Sequence, residues 1–212
     1  MYFEEKSSAD GTRGFGFADI QEAKSAAESC KSCALWKRAT QTVFGEGPVP
    51  APLMLVGEQP GDYEDISGRP FVGPAGKLLN RALEQAGLDR ASVYVTNAVK
   101  HFKWEPLGKR RLHKKPAARE IEACRPWLLS ELELVKPRLV VCMGVTAVTS
   151  LLGKDVSIMA NRGKFFDSHF TASILITVHP SAILRVQGEG ARSREFEGFV
   201  EDLHEAVSFL RR

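Results

Sequence analysis

The sequence predicts an α/β fold of three layers, in which helices cover both faces of a central, mainly parallel sheet of four strands. Two observations predict it. Residues 53–57, 93–99, 139–144 and 174–178 are short apolar runs, each the length of one buried strand. Segments with apolar residues at helical spacing lie between them, and strand–helix alternation of this kind gives a parallel sheet with helices on both sides.

In chain order, the first 18 residues are polar and contain three glycines, which predicts a flexible leader ahead of a single domain spanning residues 19–212. A weakly apolar helix starts with Asp19 as its N-cap and runs through Ile20, Ala23, Ala26 and Ala27. Its far end carries Cys30-Lys-Ser-Cys33, and residues 44–52, rich in Gly and Pro, read as loop. Leu78, Leu79, Ala82, Leu83 and Ala86 share one helix face, with Gly87 where a C-terminal cap belongs. Ile121, Cys124, Leu128, Leu132 and Val135 make a second face, with Pro116 suited to its first turn. Phe196, Phe199, Val200, Leu203, Val207 and Leu210 make a closing helix, and there is no internal repeat. Ligands of parallel sheets sit at the carboxyl ends of the strands. Here those ends run into Gly57-Glu-Gln-Pro-Gly61, Thr96-Asn97 and His179-Pro-Ser181, three polar segments that should meet on one edge.

With 43% hydrophobic and 26% charged residues in 212, the balance is globular, which excludes disorder and fibrous repeats. The longest apolar run, near residue 141, falls far short of the roughly 18–20 residues of a membrane helix. The first residues have neither the basic nor the apolar segment of a secretory signal. A soluble, cytoplasmic monomer that engages no membrane is expected. Net charge is only +3, yet residues 100–119 hold eight Lys and Arg against Glu105 alone. A positive stretch on an otherwise acidic chain suits a polyanion bound at one face; a solvated basic loop suits it equally. Of the four cysteines, Cys30, Cys33, Cys124 and Cys142, an intracellular chain of this size needs no disulfides, so metal binding or core packing is expected. Structural zinc commonly uses two close pairs, whereas 17 residues separate Cys124 from Cys142. Spacing alone leaves metal and core packing level.

Two phosphate motifs fail. Gly76-Lys77 resembles the end of a Walker A loop, but Phe71 stands where its first glycine belongs and Leu78 where Ser or Thr is needed. No Gly-x-Gly-x-x-Gly follows any predicted strand. What remains has a family likeness. Gly57-Glu-Gln-Pro-Gly61, Gly68-Arg-Pro-Phe-Val-Gly-Pro-Ala-Gly76, Thr96-Asn-Ala-Val-Lys100, His179-Pro-Ser181 and the order of the cysteines resemble the motifs of iron–sulfur uracil-DNA glycosylases. Gln59 and the loop Lys109-Arg-Arg-Leu-His113 resemble the X branch of that superfamily (UdgX-like), whose members become covalently attached to uracil-containing DNA through the loop histidine. Residues 104–108 belong to none of these motifs.

The resemblance implies a uracil-DNA glycosylase-like fold and a [4Fe–4S] cluster on Cys30, Cys33, Cys124 and Cys142, a donor set that suits such clusters. Its substrate would be uracil-containing DNA, single-stranded or with the nucleotide flipped out, and free uracil its product. Phe71 would stack the base. Asn97 can accept from uracil N3–H and donate to O4 with one amide, a pattern cytosine reverses. A neutral His179 can donate to O2 as charge builds there. Glu58 would stabilise the cationic sugar and assist the loop histidine. Gln59 would contact the base, or fix the loop through its backbone. Lys109, Arg110 and Arg111 would hold phosphates, and His113 would add to C1′ once the base has left. Two alternatives stand beside this reading: a glycosylase that turns over by water attack, and an iron–sulfur nucleic-acid-binding protein without catalysis.

Overall fold

The computed structural model describes residues 14–168 and 173–212. Residues 1–13 of the expected leader lie outside them, but the end of that segment is packed: the rings of Phe15 and Phe17 lie 4.6 and 5.7 Å from that of Trp127. The first helix, α1 (Ile20–Glu28), starts where expected, with the Asp19 carboxylate accepting from the Gln21 and Glu22 amides. There follow β1 (Leu53–Gly57), α2 (Asp62–Ser67), α3 (Pro74–Gln85), β2 (Tyr94–Asn97), β3 (Trp104–Leu107), β4 (Arg110–His113) and α4 (Ala118–Val135). The remaining elements are β5 (Leu139–Met143), α5 (Val145–Leu152), α6 (Ile158–Asn161), β6 (Phe165–Phe166), β7 (Ser173–Thr177), α7 (Pro180–Leu184) and α8 (Glu189–Leu210).

Among the described residues the central sheet runs β2-β1-β5-β7-β6. Its first four strands are parallel and coincide with the four apolar runs. The edge strand β6 is antiparallel to β7 and only two residues long, too short to leave a pattern in the sequence. Alternate side chains of each strand enter opposite layers. Leu53, Leu55, Leu139 and Val141 pack with Leu79 and Leu83 of α3 and Phe199 and Leu203 of α8. Met54, Val56, Val140, Cys142 and Ile176 pack with Leu128 and Leu132 of α4 and Val148 of α5. A third, smaller core joins α1 to α4 around Trp127.

Helix ends follow the local chemistry. Gly87, at φ 73°, ends α3 in a Schellman motif: Leu88 N–H donates to Leu83 O and Gly87 N–H to Glu84 O. Pro116 stands just outside α4, ahead of the extended residue Ala117 that precedes the first turn. Residues 104–107, outside every motif, form the first arm of a β3–β4 hairpin that pairs Trp104 with His113. The second arm is the basic loop itself, and Gly108 at φ 58° makes the tight turn between them.

Candidate active site

The parallel strands deliver their ends to one edge. Gly57, last in β1, is in register with Asn97, last in β2, and His179 follows β7 by two residues as the N-cap of α7. These meet in front of Gly57. A Cβ on that residue would stand 2.6 Å from Phe71 Cζ and 3.2 Å from His179 Nε2, and would collide with Asn97 Oδ1. The absent side chain therefore opens a space bounded by an aromatic ring, an amide and an imidazole. Phe71 takes a left-handed backbone at φ 57°, uncommon for a bulky residue and typical of a site held by its surroundings. Gly76 permits it, since a Cβ there would run into the Phe71 backbone. Buried Glu64 ties the two neighbouring loops, accepting from Gly61 N–H at 3.0 Å and Gly73 N–H at 2.8 Å.

Hydrogen bonding sets the state of His179. Its Nδ1 accepts from the Ser181 amide at 3.2 Å and lies 2.8 Å from Ser181 Oγ, so the ring proton belongs on Nε2. That Nε2 is buried with no partner among the described residues, and it is the atom facing Gly57. Burial, with Arg185 and His113 adding to it, lowers the His179 pKa to about 4. At neutral pH the ring is an uncharged donor. Asn97 is held from behind: Lys100 Nζ donates to its carbonyl at 2.7 Å. Lys100 itself is buried against Glu131, which also accepts from Gly45 N–H, Tyr94 and Thr96. Lys100, counted in sequence as part of the basic stretch, is thus an interior residue.

His113 comes to the same edge from the hairpin. Its Nε2 lies 3.4 Å from Glu58 Oε1 and 2.9 Å from Gln59 Nε2. The orientation of the Gln59 amide is fixed, because its Oε1 accepts from Lys103 N–H at 3.0 Å and its Nε2 also donates to Lys114 O at 2.9 Å. An amide nitrogen only donates, so His113 Nε2 is the bare nitrogen and Nδ1 carries the proton. Burial lowers the His113 pKa, Glu58 pulls it up and Arg185 lowers it further, with a net downward shift. The Gln59 side chain thus bonds the hairpin at three points, His113, Lys103 and Lys114. Glu58 is gripped on its other oxygen, where Thr146 Oγ1 donates to Oε2 at 2.7 Å.

The hairpin divides the basic residues. Lys109 and Arg110 are exposed at the turn. Arg111, expected to hold a phosphate, is instead engaged by the carboxylates of Asp62 and Asp65 and lies over the rings of Phe102 and Trp104. Two carboxylates and two aromatic faces around one guanidinium make it the hairpin's anchor.

The cysteines also divide. Cys30 and Cys124 belong to the third core, with Cys33 against it, and the charges of Cys30 and Cys33 both bear on Cys124. Trp127 Nε1 donates to Cys30 Sγ at 3.1 Å, and Lys100 N–H to Cys124 Sγ at 3.2 Å. Cys142 is elsewhere, in β5 between Val56 and Ile176, and only burial raises its pKa. The expectation that it completes a ligand set with the other three does not fit this placement: its period-2 position turns it into the core under α4 and α5. His101, which a search confined to cysteines passes over, is linked by hydrogen bonds to the turn that carries Cys30. It follows Lys100, is buried, and its Nε2 lies 3.1 Å from Thr42 Oγ1, which donates to the Ala27 carbonyl that also receives Cys30 N–H. Among the described residues no three His, Cys, Asp or Glu side chains stand as a closed ion site.

A ring, an amide and a neutral imidazole thus face a bare strand end, with a second histidine beside Glu58 at the same edge. The chain belongs to the uracil-DNA glycosylase superfamily: its residues 44–204 match the family model described as "Uracil DNA glycosylase superfamily". It is 37% identical over 187 residues to the type-4 uracil-DNA glycosylase of Thermotoga maritima, covering 87% of this chain and 91% of the relative. The type-4 uracil-DNA glycosylase of Pyrobaculum aerophilum is 36% identical, covering 79% and 85%. That of Saccharolobus solfataricus is 40% identical, covering 73% and 72%. Thr146 could not be picked out in sequence, since it acts on Glu58 from a segment 88 residues away, whereas Glu64 works within its own stretch of chain, on Gly61 and Gly73.

Proposed function

We propose that the chain excises uracil from DNA and is then captured on the sugar through His113. The observation that carries this is the bare Nε2 of His113, turned by Gln59 and set 3.4 Å from Glu58 at the edge where Phe71, Asn97 and His179 meet. The substrate is uracil-containing DNA, read as a flipped-out or single-stranded nucleotide, because a stacked base cannot enter a closed pocket. Phe71 stacks the base, and the Asn97 amide matches uracil N3–H and O4.

The C1′–N1 bond breaks and its electron pair leaves with uracil, whose charge on O2 meets the Nε2–H of His179. Glu58 faces the cationic sugar left behind. His113 Nε2, released by Gln59, gives its lone pair to C1′, and the ring becomes an imidazolium. Its Nδ1 proton passes to solvent and the uracil anion takes one up, leaving neutral uracil and a neutral imidazole–sugar bond. That bond has no second displacement built into it, so the enzyme is spent. Lys109 and Arg110, exposed at the hairpin turn, would hold phosphates beside the flipped nucleotide.

The [4Fe–4S] cluster implied by the resemblance would be held by Cys30, Cys33 and Cys124, with His101 rather than Cys142 as fourth ligand, because His101 is linked through Thr42 to the carbonyl that receives Cys30 N–H and imidazole ligation of iron–sulfur centres is known chemistry. It would supply a structural tie between α1, α4 and the segment after β2. The bond cleavage needs only the side chains named above.

A water-driven glycosylase that turns over is the second reading, favoured by the names of the type-4 relatives. Mixing the protein with a uracil-bearing oligonucleotide and running a denaturing gel separates the readings. A slow covalent band supports capture, and His113→Ser should replace it with an alkali-labile abasic product. An abasic product without the band from the wild type supports turnover; intact DNA leaves binding alone.

A further inference from the structure

We propose that Thr146 is a positioning residue for Glu58, the residue that decides where the carboxylate points; this rests on the reading of Glu58 and His113 given above. Thr146 is completely buried in the first turn of α5, and its hydroxyl donates to Glu58 Oε2 at 2.7 Å. The other oxygen, Oε1, is the one that lies 3.4 Å from His113 Nε2. The two oxygens of one carboxylate thus have separate partners on opposite sides. Glu58 has three torsions between backbone and carboxylate and is partly open to solvent, with 22% of its side chain exposed. Thr146 is β-branched in a helix, so its Oγ1 has few positions to choose from and holds the carboxylate at little cost in its own freedom. Without that grip the carboxylate is free to turn toward solvent, away from the place where the sugar charge develops. The first turn of a helix also favours a negative partner.

The anchor comes from a different strand connection than the rest of the site. Glu58 follows β1, His113 ends the hairpin, and Thr146 follows β5 through Gly144, whose amide donates to Thr177 O at the end of β7. Thr146 therefore registers Glu58 against the strand pair that also leads into His179. It touches neither base nor sugar, and its effect must pass through Glu58.

The test is single-turnover uracil release and adduct formation by Thr146→Val, which keeps the branched shape and loses the hydroxyl, and Thr146→Ser, which keeps the hydroxyl. The inference expects Val to slow release about tenfold or more, in line with losing one hydrogen bond to a charged group, and Ser to stay within about threefold of wild type. In a Glu58→Gln background the Val change should cost nothing further. Thr146→Ala serves in the same comparisons if the Val protein does not fold, as judged by thermal melting. Wild-type rates in the Val or Ala protein overturn the inference, as does a loss that Ser fails to rescue or that adds in full on top of Glu58→Gln. A wild-type protein that releases no uracil overturns the function reading itself, and is seen in the same gel before any variant is compared.

Discussion

At the scale of residues, the site depends on what is missing as much as on what is present. Gly57 is the clearest case, because a single methyl would enter the space shared by Phe71, Asn97 and His179. Gly57→Ala should lower uracil release at least a hundredfold while the melting temperature falls by only a few degrees; near-normal release would mean the base binds elsewhere. The neutral state of His113 is the second case. Its pKa lies below the ordinary histidine value near 6.5, so the imidazole is uncharged at pH 7 and gains a proton only in acid. Adduct formation followed from pH 8 down to pH 5 should be flat to below about pH 6.5 and then fall. A fall already complete by pH 7 would contradict the neutral assignment. The family likeness called for a neutral His179 and a nucleophilic His113, but the contacts that set their protonation were not legible in the sequence. The Gln59 amide and the Ser181 backbone that fix their tautomers are tertiary and local-turn contacts respectively.

At the scale of elements, the β3–β4 hairpin turns a basic stretch into a device with an anchor and a contact end. Arg111 holds the hairpin to α2 through Asp62 and Asp65, while Lys109 and Arg110 project from the turn. Substitutions in the two parts should therefore fail differently. Lys109→Ala or Arg110→Ala should weaken DNA binding and reduce the slope of log affinity against log salt by about one each. Arg111→Ala should leave that slope unchanged and slow adduct formation, because it loosens the arm that carries His113. Equal salt slopes for all three variants would show Arg111 to be a phosphate contact after all. The charge of this segment was legible in the sequence, and the role of its histidine entered as an expectation from the family likeness. The sequence could not give the division of labour, since Asp62 and Asp65 lie more than forty residues away, nor the first arm, whose Trp-Glu-Pro-Leu alternates too briefly to read as a strand.

At the scale of the whole molecule, the parallel sheet was legible because strands buried on both faces must be continuously apolar, and the four runs have no other comfortable place. Cys142 shows the limit of that reading: a cysteine in an apolar strand looks alike as ligand and as core, and only its packing under α4 and α5, in a different cluster from Cys30 and Cys124, separates the two. Lys100 shows another limit, a lysine counted with surface charge that is in fact 1% exposed and paired with Glu131 in the interior. Lys100→Met should destabilise the fold by roughly 3–5 kcal/mol in denaturant unfolding, because it removes the cation paired with a buried carboxylate. A single variant as stable as wild type would contradict the burial of the pair. The central claim, that an uncharged imidazole captures the sugar, is tested most directly by peptide mapping of the protein–DNA product. After reaction with a uracil-bearing oligonucleotide and nuclease trimming, mass spectrometry should find the deoxyribose remnant on the peptide containing His113. A remnant on any other residue, or complete uracil release with every peptide unmodified, would contradict it.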